Sequence, residues 1–238
     1  MARRDWASGL MSLTVAASIE RFVPGQFVNL GLELGGTRLF RSYSVASAPD
    51  HPLEFLLTEV GGGQLSPALC RAAPGATVLV DPKPQGFFTL DWVPPAEELW
   101  MVASGTGLAP FMSMLRSGLA LARFARVVVV HGVRERAHLA YADELRALCA
   151  VHGERVRRVA VLSRDVDSEA LSGRVTTALA DGSLEARAGL ALSPARSHVM
   201  LCGNPAMIAE MQALLAERGL IRHRVRRPGH VTFEKYWD

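Results

Sequence analysis

Three glycine- or cysteine-bearing turns and a few arginines hold most of the chemistry this chain could perform. Gly105-Thr106-Gly107 follows the apolar run Leu99 to Ala103 and precedes a helix-like segment opening at Pro110. Glycines there let backbone approach a pyrophosphate, and a helix N-terminus adds free N–H groups and partial positive charge. The string is not the six-residue dinucleotide fingerprint, because Pro110 stands where a glycine belongs, and no lysine follows to make a P-loop. Ser163-Arg164 closes another apolar run, and Gly173-Arg174 lies ten residues further on. A planar guanidinium binds phosphate bidentately, so these groups suit a 2′-phosphate where a carboxylate would suit ribose hydroxyls. Asp165 is adjacent, and on residues alone an ordinary surface ion pair fits equally well. Cys202, in Cys202-Gly203-Asn204-Pro205, has no nearby histidine to activate it and reads as a small buried hydrophobe, not a nucleophile. Ser44 lacks the GxSxG elbow of a hydrolase.

The elements that must position these groups fall into two rhythms. Up to about residue 90, short apolar runs (Leu10 to Val15, Phe27 to Leu32, Leu53 to Thr58, Thr77 to Val80) alternate with Gly, Pro and Asp clusters. That spacing predicts a small antiparallel barrel. One short helix is expected over Ser66 to Arg71, capped by Ser66 with Pro67 in its first turn. Beyond Pro94-Pro95 the pattern becomes strand–helix, with strands at Leu99 to Ala103, Val127 to His131, Val156 to Leu162 and Val199 to Cys202. Helices are predicted at Pro110 to Arg123, His138 to His152, Val175 to Leu179 and Ala206 to Arg218. Such alternation makes a parallel sheet with right-handed crossovers.

Composition narrows the function. The 238 residues are 49% hydrophobic and 21% charged, enough for two packed cores. A net charge of +3 does not point to nucleic acid. Arg222, His223, Arg224, Arg226 and Arg227 crowd near the end, where they fit either a solvated edge or an acidic partner protein. Cys70, Cys149 and Cys202 are isolated, which supports neither an iron–sulfur cluster nor zinc. Met1 to Leu10 carries Arg3, Arg4 and Asp5 and no apolar leader core, and no apolar run is long enough to cross a membrane; a reducing, cytoplasmic setting is expected.

Four strings in fixed order carry a resemblance: Arg41-Ser42-Tyr43-Ser44, Gly105-Thr106-Gly107-Leu108-Ala109-Pro110, Cys202-Gly203-Asn204-Pro205, and the ending Glu234-Lys235-Tyr236-Trp237-Asp238. Together they resemble the ferredoxin/flavodoxin–NADP reductases, in particular the bacterial branch ending in an aromatic pair. The resemblance implies an FAD-binding antiparallel β-barrel over residues 1–92. It also implies a parallel-sheet, NADP-binding α/β domain over 93–238, whose tail returns to the flavin. It implies that Arg41, Ser42, Tyr43 and Ser44 hold the flavin, with Ser44 near N5, and that Gly63, Gln64, Leu65 and Ser66 form a second pyrophosphate site. Gln64 stands where relatives often carry lysine. Thr106, Tyr236 and Trp237 are further FAD contacts. Gly105, Thr106, Gly107, Arg134, Ser163, Arg164, Arg174, Cys202, Gly203 and Asn204 are the implied NADP contacts, and Ser44, Cys202, Glu234 and Tyr236 the implied catalytic set, with no metal.

The implied activity moves electrons between NADPH and a ferredoxin or flavodoxin, with hydride passing between nicotinamide C4 and flavin N5 in a monomer. A reductase component serving an oxygenase or free flavin is an alternative, as is a non-catalytic flavin-binding subunit. Relatives carry a strand before the segment matching Ser8 to Val15, so the barrel is expected to lack its first strand and leave an unpaired edge.

Overall fold

The computed structural model describes residues 1–236, which divide into two compact units: 1–90 with 109–119, and 91–108 with 120 onward. Among these residues no helix is long and apolar enough to cross a membrane.

The first unit contains β1 (Ala2–Ala7), β2 (Leu10–Val15), β3 (Phe27–Leu34), β4 (Thr37–Ser44), β5 (Leu53–Thr58), α1 (Leu65–Arg71) and β6 (Leu79–Val80), joined by α2 (Ala109–Arg116). Two antiparallel sheets, β1-β2-β5 and β4-β3-β6, close over one core. Its centre is the inward-facing set Met11, Leu13, Val28, Leu30, Phe55 and Leu57, with Leu69 of α1. Gly35 and Gly36 both take positive φ (57° and 78°), the geometry that a two-residue hairpin between β3 and β4 needs.

The expected missing strand is present. Ala2–Ala7 pairs antiparallel with β2, Arg4 opposite Ser12. Its residues 2–5 are exposed and mostly charged, so no apolar alternation announced it. The same charge blunts the edge: Arg3 binds Asp5 and the Cys70 carbonyl, and Arg4 stacks on the Trp6 ring at 3.8 Å.

The second unit is built on β7 (Glu98–Ser104), β8 (Arg126–Val133), β9 (Val156–Leu162), β10 (Ala170–Ser172), β11 (Ser197–Gly203) and β12 (Val231–Lys235). Its helices are α3 (Leu119–Arg123), α4 (Ala142–His152), α5 (Val175–Ala180), α6 (Ser183–Ala188) and α7 (Pro205–Glu217). All strands run parallel in the order β10-β9-β8-β7-β11-β12. Buried on both faces, β7, β8 and β11 are near-continuous apolar runs, as central parallel strands require.

Three helix expectations shift. The run predicted over Pro110 to Arg123 breaks into α2 and α3 at Ser117-Gly118, where Gly118 turns to φ +74°. The run predicted from His138 starts only at Ala142, because Tyr141 adopts the left-handed conformation (φ 57°). In α1 the cap is Gln64 and Ser66 lies inside the helix. The tail is a sheet strand, β12, as far as Lys235.

Candidate active site

In an open parallel sheet, ligands bind beyond the carboxyl ends of strands where strand order reverses. Here that point lies between β7 and β11, which end at Ser104 and Gly203. The structure brings Gly105-Thr106-Gly107 and Cys202-Gly203-Asn204 together at it. The contact is close enough to require glycine: a Cβ on Gly107 would lie 2.3 Å from the Cys202 carbonyl oxygen. A Cβ on Gly203 would lie 2.4 Å from Ser104 Oγ, at a φ of +127° that side chains rarely adopt. Gly105, at φ +56°, faces open space.

Two residues the sequence reading passed over hold this turn. His131, fully buried on β8, has Nε2 3.0 Å from the Gly105 carbonyl oxygen. Burial pushes its pKa down to about 4, against the weaker opposing effect of that bond, so the ring is a neutral Nε2–H donor. Ser104 Oγ accepts the Asn204 N–H at 2.9 Å. Asn204 then caps α7, its Oδ1 accepting from Ala206 and Met207. The sequence signal for His131 was a lone polar residue ending the run Val127 to Val130 immediately before Gly132.

Strand β12 delivers the tail to the same place. Its parallel register sets Glu234 opposite Cys202 and Lys235 opposite Gly203. Tyr236 then donates its hydroxyl to the Thr106 carbonyl at 2.8 Å. Burial, with the Glu234 charge beside it, pushes the Cys202 thiol well above its usual range, and a hydrogen bond to Tyr236 offsets only part of this. The thiol is protonated and inert as a nucleophile. Trp237 lies outside the described residues.

Further along the same sheet edge, Ser163 and Arg164 follow β9. Their N–H groups bond to the carbonyls of Val133 and Arg134 at 3.0 and 2.8 Å, which ties the ends of β8 and β9 together. Arg134, Arg164 and Arg174 are exposed, and among the described residues their guanidinium groups join no ion pair. The suspected Arg164–Asp165 pair does not form; Asp165 accepts the N–H groups of Arg136 and Val166 instead, which lowers its pKa.

The remaining implied residues belong to the first unit. Arg41 and Ser42 are exposed on β4, Tyr43 is half-buried against the barrel core, and Ser44 is buried. Burial raises the Tyr43 phenol to about 12, so it stays neutral. Arg41 donates to the Phe40 carbonyl (2.7 Å) and Ser42 to Asn29 Oδ1 (2.9 Å). An open groove of about 580 Å³ is lined by Leu34, Thr37, Leu39, Gly63, Gln64 and Arg71, among others. Leu65 turns inward to the core. The Ser66 hydroxyl accepts the Val60 N–H at 3.1 Å, which leaves its own hydrogen available to donate.

A parallel sheet with a glycine turn at its switch point, following an antiparallel barrel, has the geometry of a nucleotide-binding protein. The family model "Oxidoreductase NAD-binding domain" matches residues 101–213. The chain is 44% identical to the flavodoxin/ferredoxin–NADP reductases of Shigella flexneri and Escherichia coli (strain K12) over 236 residues, covering 98% of this chain and 95% of each relative. A solved ferredoxin NADP⁺ reductase from Neisseria gonorrhoeae, with bound FAD and NADP, superposes with a TM-score of 0.90 at 31% identity, covering 98% of this chain and 94% of that one. The chain belongs to the flavodoxin/ferredoxin–NADP reductase family.

Proposed function

We propose that the protein is an FAD-dependent reductase that moves electrons between NADPH and a ferredoxin or flavodoxin. One observation carries the reading: the register of β12 on β11, which gathers Glu234, Cys202, Tyr236 and the Thr106 turn at one strand end. A non-catalytic flavin-binding subunit would have no need of that assembly.

The residues present fit both nucleotides. Gly105 offers an open, positive-φ backbone to a pyrophosphate, and three exposed arginines that join no ion pair among the described residues stand at the ends of β8 and β9 and the start of α5. In our reading Arg164 and Arg174, with Ser163 and Arg134, hold the NADP 2′-phosphate. Gly105, Thr106, Gly107, Gly203 and Asn204 cradle the diphosphate and nicotinamide.

On the barrel, Arg41, Ser42, Tyr43 and Ser44 hold the flavin, and the groove at Gly63-Gln64 accepts the rest of FAD. When bound, FAD supplies the exchange between a hydride and single electrons that no side chain here can supply. The protein's own work is to orient. Cys202 presents a neutral thiol that shapes the pocket without reacting, and Tyr236, tethered to Thr106, covers the place the nicotinamide must reach. Glu234 is the carboxylate able to carry a proton. An acidic carrier docks on Arg222 to Arg227, and the enzyme works as a cytoplasmic monomer, in keeping with three free thiols.

The test is to release the chromophore by denaturation and to assay NADPH-dependent cytochrome c reduction with and without ferredoxin or flavodoxin. FAD in the supernatant and carrier-stimulated reduction are expected. FMN, or a flavoprotein inert with NADPH, would sink the reading.

A further inference from the structure

The segment between α7 and β12 is held by imidazoles as much as by regular pairing. After Ile221 the chain reverses at a tight turn in which Arg224 and Arg227 exchange main-chain hydrogen bonds of 3.0 and 2.9 Å. It returns through Gly229 and His230 into β12. The two limbs lie so close that a Cβ on Gly229 would sit 2.6 Å from the carbonyl oxygens of both Ile221 and Arg222. Two side chains close the reversal: Ile221 N–H donates to His230 Nδ1 at 3.3 Å, and Gly229 N–H donates to His223 Nδ1 at 3.2 Å. An amide N–H can only donate, so each Nδ1 carries a lone pair and each ring is the neutral Nε2–H tautomer. Behind them stands buried His198 of β11, edge-on to His223 with ring centroids 6.2 Å apart and Nε2 3.2 Å from Thr232 Oγ1 of β12.

We propose that His223 and His230 are positioning residues of a proton-sensitive latch, which seats β12, and so Glu234 and Tyr236 beside Cys202, only while both rings are neutral. The functional consequence rests on reading the tail as part of the nicotinamide site. Protonation puts a hydrogen on the atom that accepts each amide, so two attractive contacts become donor-against-donor contacts. The new charge enters positive ground. Arg123 of α3, His223 and His230 all act on His198, and Arg222, Arg224, Arg226 and Arg227 lie on the loop itself. Burial, then His223, His230 and Arg123, press the His198 pKa down to about 3, and burial lowers that of His223. His198 and His223 therefore resist protons in the seated form and accept them when the reversal opens, so acid favours the opened loop.

The test is backbone amide exchange on the full-length holoprotein at about pH 7.5 and about pH 5.5, corrected for intrinsic exchange rates. Asparagine Oδ1 stands where histidine Nδ1 stands and accepts at both pH values, so the comparison variant is His223→Asn with His230→Asn. In the native chain, protection of Ile221, Gly229 and residues 231–235 should fall at least about tenfold on acidification while β7 and β11 stay protected. The asparagine variant should keep its protection. If the double variant does not fold, His223→Asn alone, with Gly229 as reporter, makes the same comparison. Protection unchanged by pH in the native chain, or a pH-dependent loss that persists with asparagine, overturns the latch. Exchange that behaves as expected while NADP⁺ affinity ignores the same pH change supports the latch and overturns instead the seat of Tyr236 in the nicotinamide site.

Discussion

The two units hold their glycine turns in opposite ways. In the second, Gly105-Thr106-Gly107 is clamped. His131 binds the Gly105 carbonyl, Tyr236 binds that of Thr106, Gly107 packs on the Cys202 backbone, and Ser104 ties the neighbouring turn to α7. In the first, Gly61 and Gly62 would each meet nothing within 4 Å. Among the described residues the Ser66 hydroxyl is the one side chain holding that run, through Val60. A clamped turn meets its ligand already ordered and forfeits little entropy on binding; an open one must be shaped by what it binds. On the proposed function, the contrast separates a turn for a substrate that comes and goes at every cycle from one for a ligand that stays.

The largest effect should come from filling the clamp. Gly107→Ala forces a methyl against backbone that cannot move alone, which puts it at the upper end of the ~1–3 kcal/mol that overpacking costs. NADP⁺ binding should fall by more than about tenfold. Gly62→Ala has room and is strained only by its φ of +77°, for about 1 kcal/mol. Urea midpoints and NADP⁺ titrations followed by flavin absorbance compare the two. Equal costs would erase the distinction between the turns.

The clamp also predicts acid sensitivity. His131 is buried neutral with its pKa lowered from 6.5 to about 4. A histidine depressed in the folded state gives full stability above its unfolded pKa and loses it as pH falls toward the folded value. The loss therefore runs from about 6.5 down to about 4 and amounts to about 3 kcal/mol. His198, lowered to about 3, acts in the same direction. His131→Gln keeps an Nε2–H donor that cannot titrate, so it should flatten the part of the acid limb due to His131. Urea midpoints measured across that range check it, and a variant with an unchanged slope would show that His131 is not the sensor.

The central architecture was legible because its signals are local. The runs of β7, β8, β9 and β11 and the two glycine turns could be read directly, and the barrel's Leu53 to Thr58 strand matched to the residue. What escaped depends on partners distant in sequence. Ala2–Ala7 is a strand because β2 accepts it, despite its charge. Val231–Lys235 is a strand because β11 offers a free edge, a pairing that the tail's own residues do not announce. Ser66 resembled a helix cap, but α1 begins one residue before it and its hydroxyl oxygen accepts from Val60 instead. His131 was invisible because its role lies in a carbonyl 26 residues away.

The arginines sharpen the comparison from outside the clamp. Arg164 and Arg174 are exposed and join no ion pair among the described residues, so their loss should leave the turn intact. A charge-assisted bond to phosphate is worth roughly 1.5–3 kcal/mol, so Arg164→Ala and Arg174→Ala should each weaken NADPH use by about 10–100-fold. NADH kinetics should hardly change. Equal losses with both cofactors would place these arginines on the diphosphate or the fold rather than on the 2′-phosphate.

The smallest effect tests whether the open turn is open. Ser66 Oγ accepts the Val60 N–H, and Val60 is 54% exposed, so water can replace the hydroxyl once it is removed. The cost of Ser66→Ala is then that of one ordinary hydrogen bond, about 0.5–1.5 kcal/mol. All of it falls on the run that must be shaped for FAD, so FAD should dissociate a few-fold to about tenfold more readily, with NADP⁺ affinity unchanged. Ser104→Ala deletes a bond of the same kind on the clamped side. There His131, Tyr236 and the Gly107 contact still hold the turn, so NADP⁺ affinity should move by no more than about twofold, under half a kcal/mol. Flavin release on dilution and NADP⁺ titration measure the pair side by side. Should Ser104→Ala prove the more damaging for its nucleotide, the second unit's turn hangs on one hydroxyl, and its clamp is not the redundant one its contacts describe.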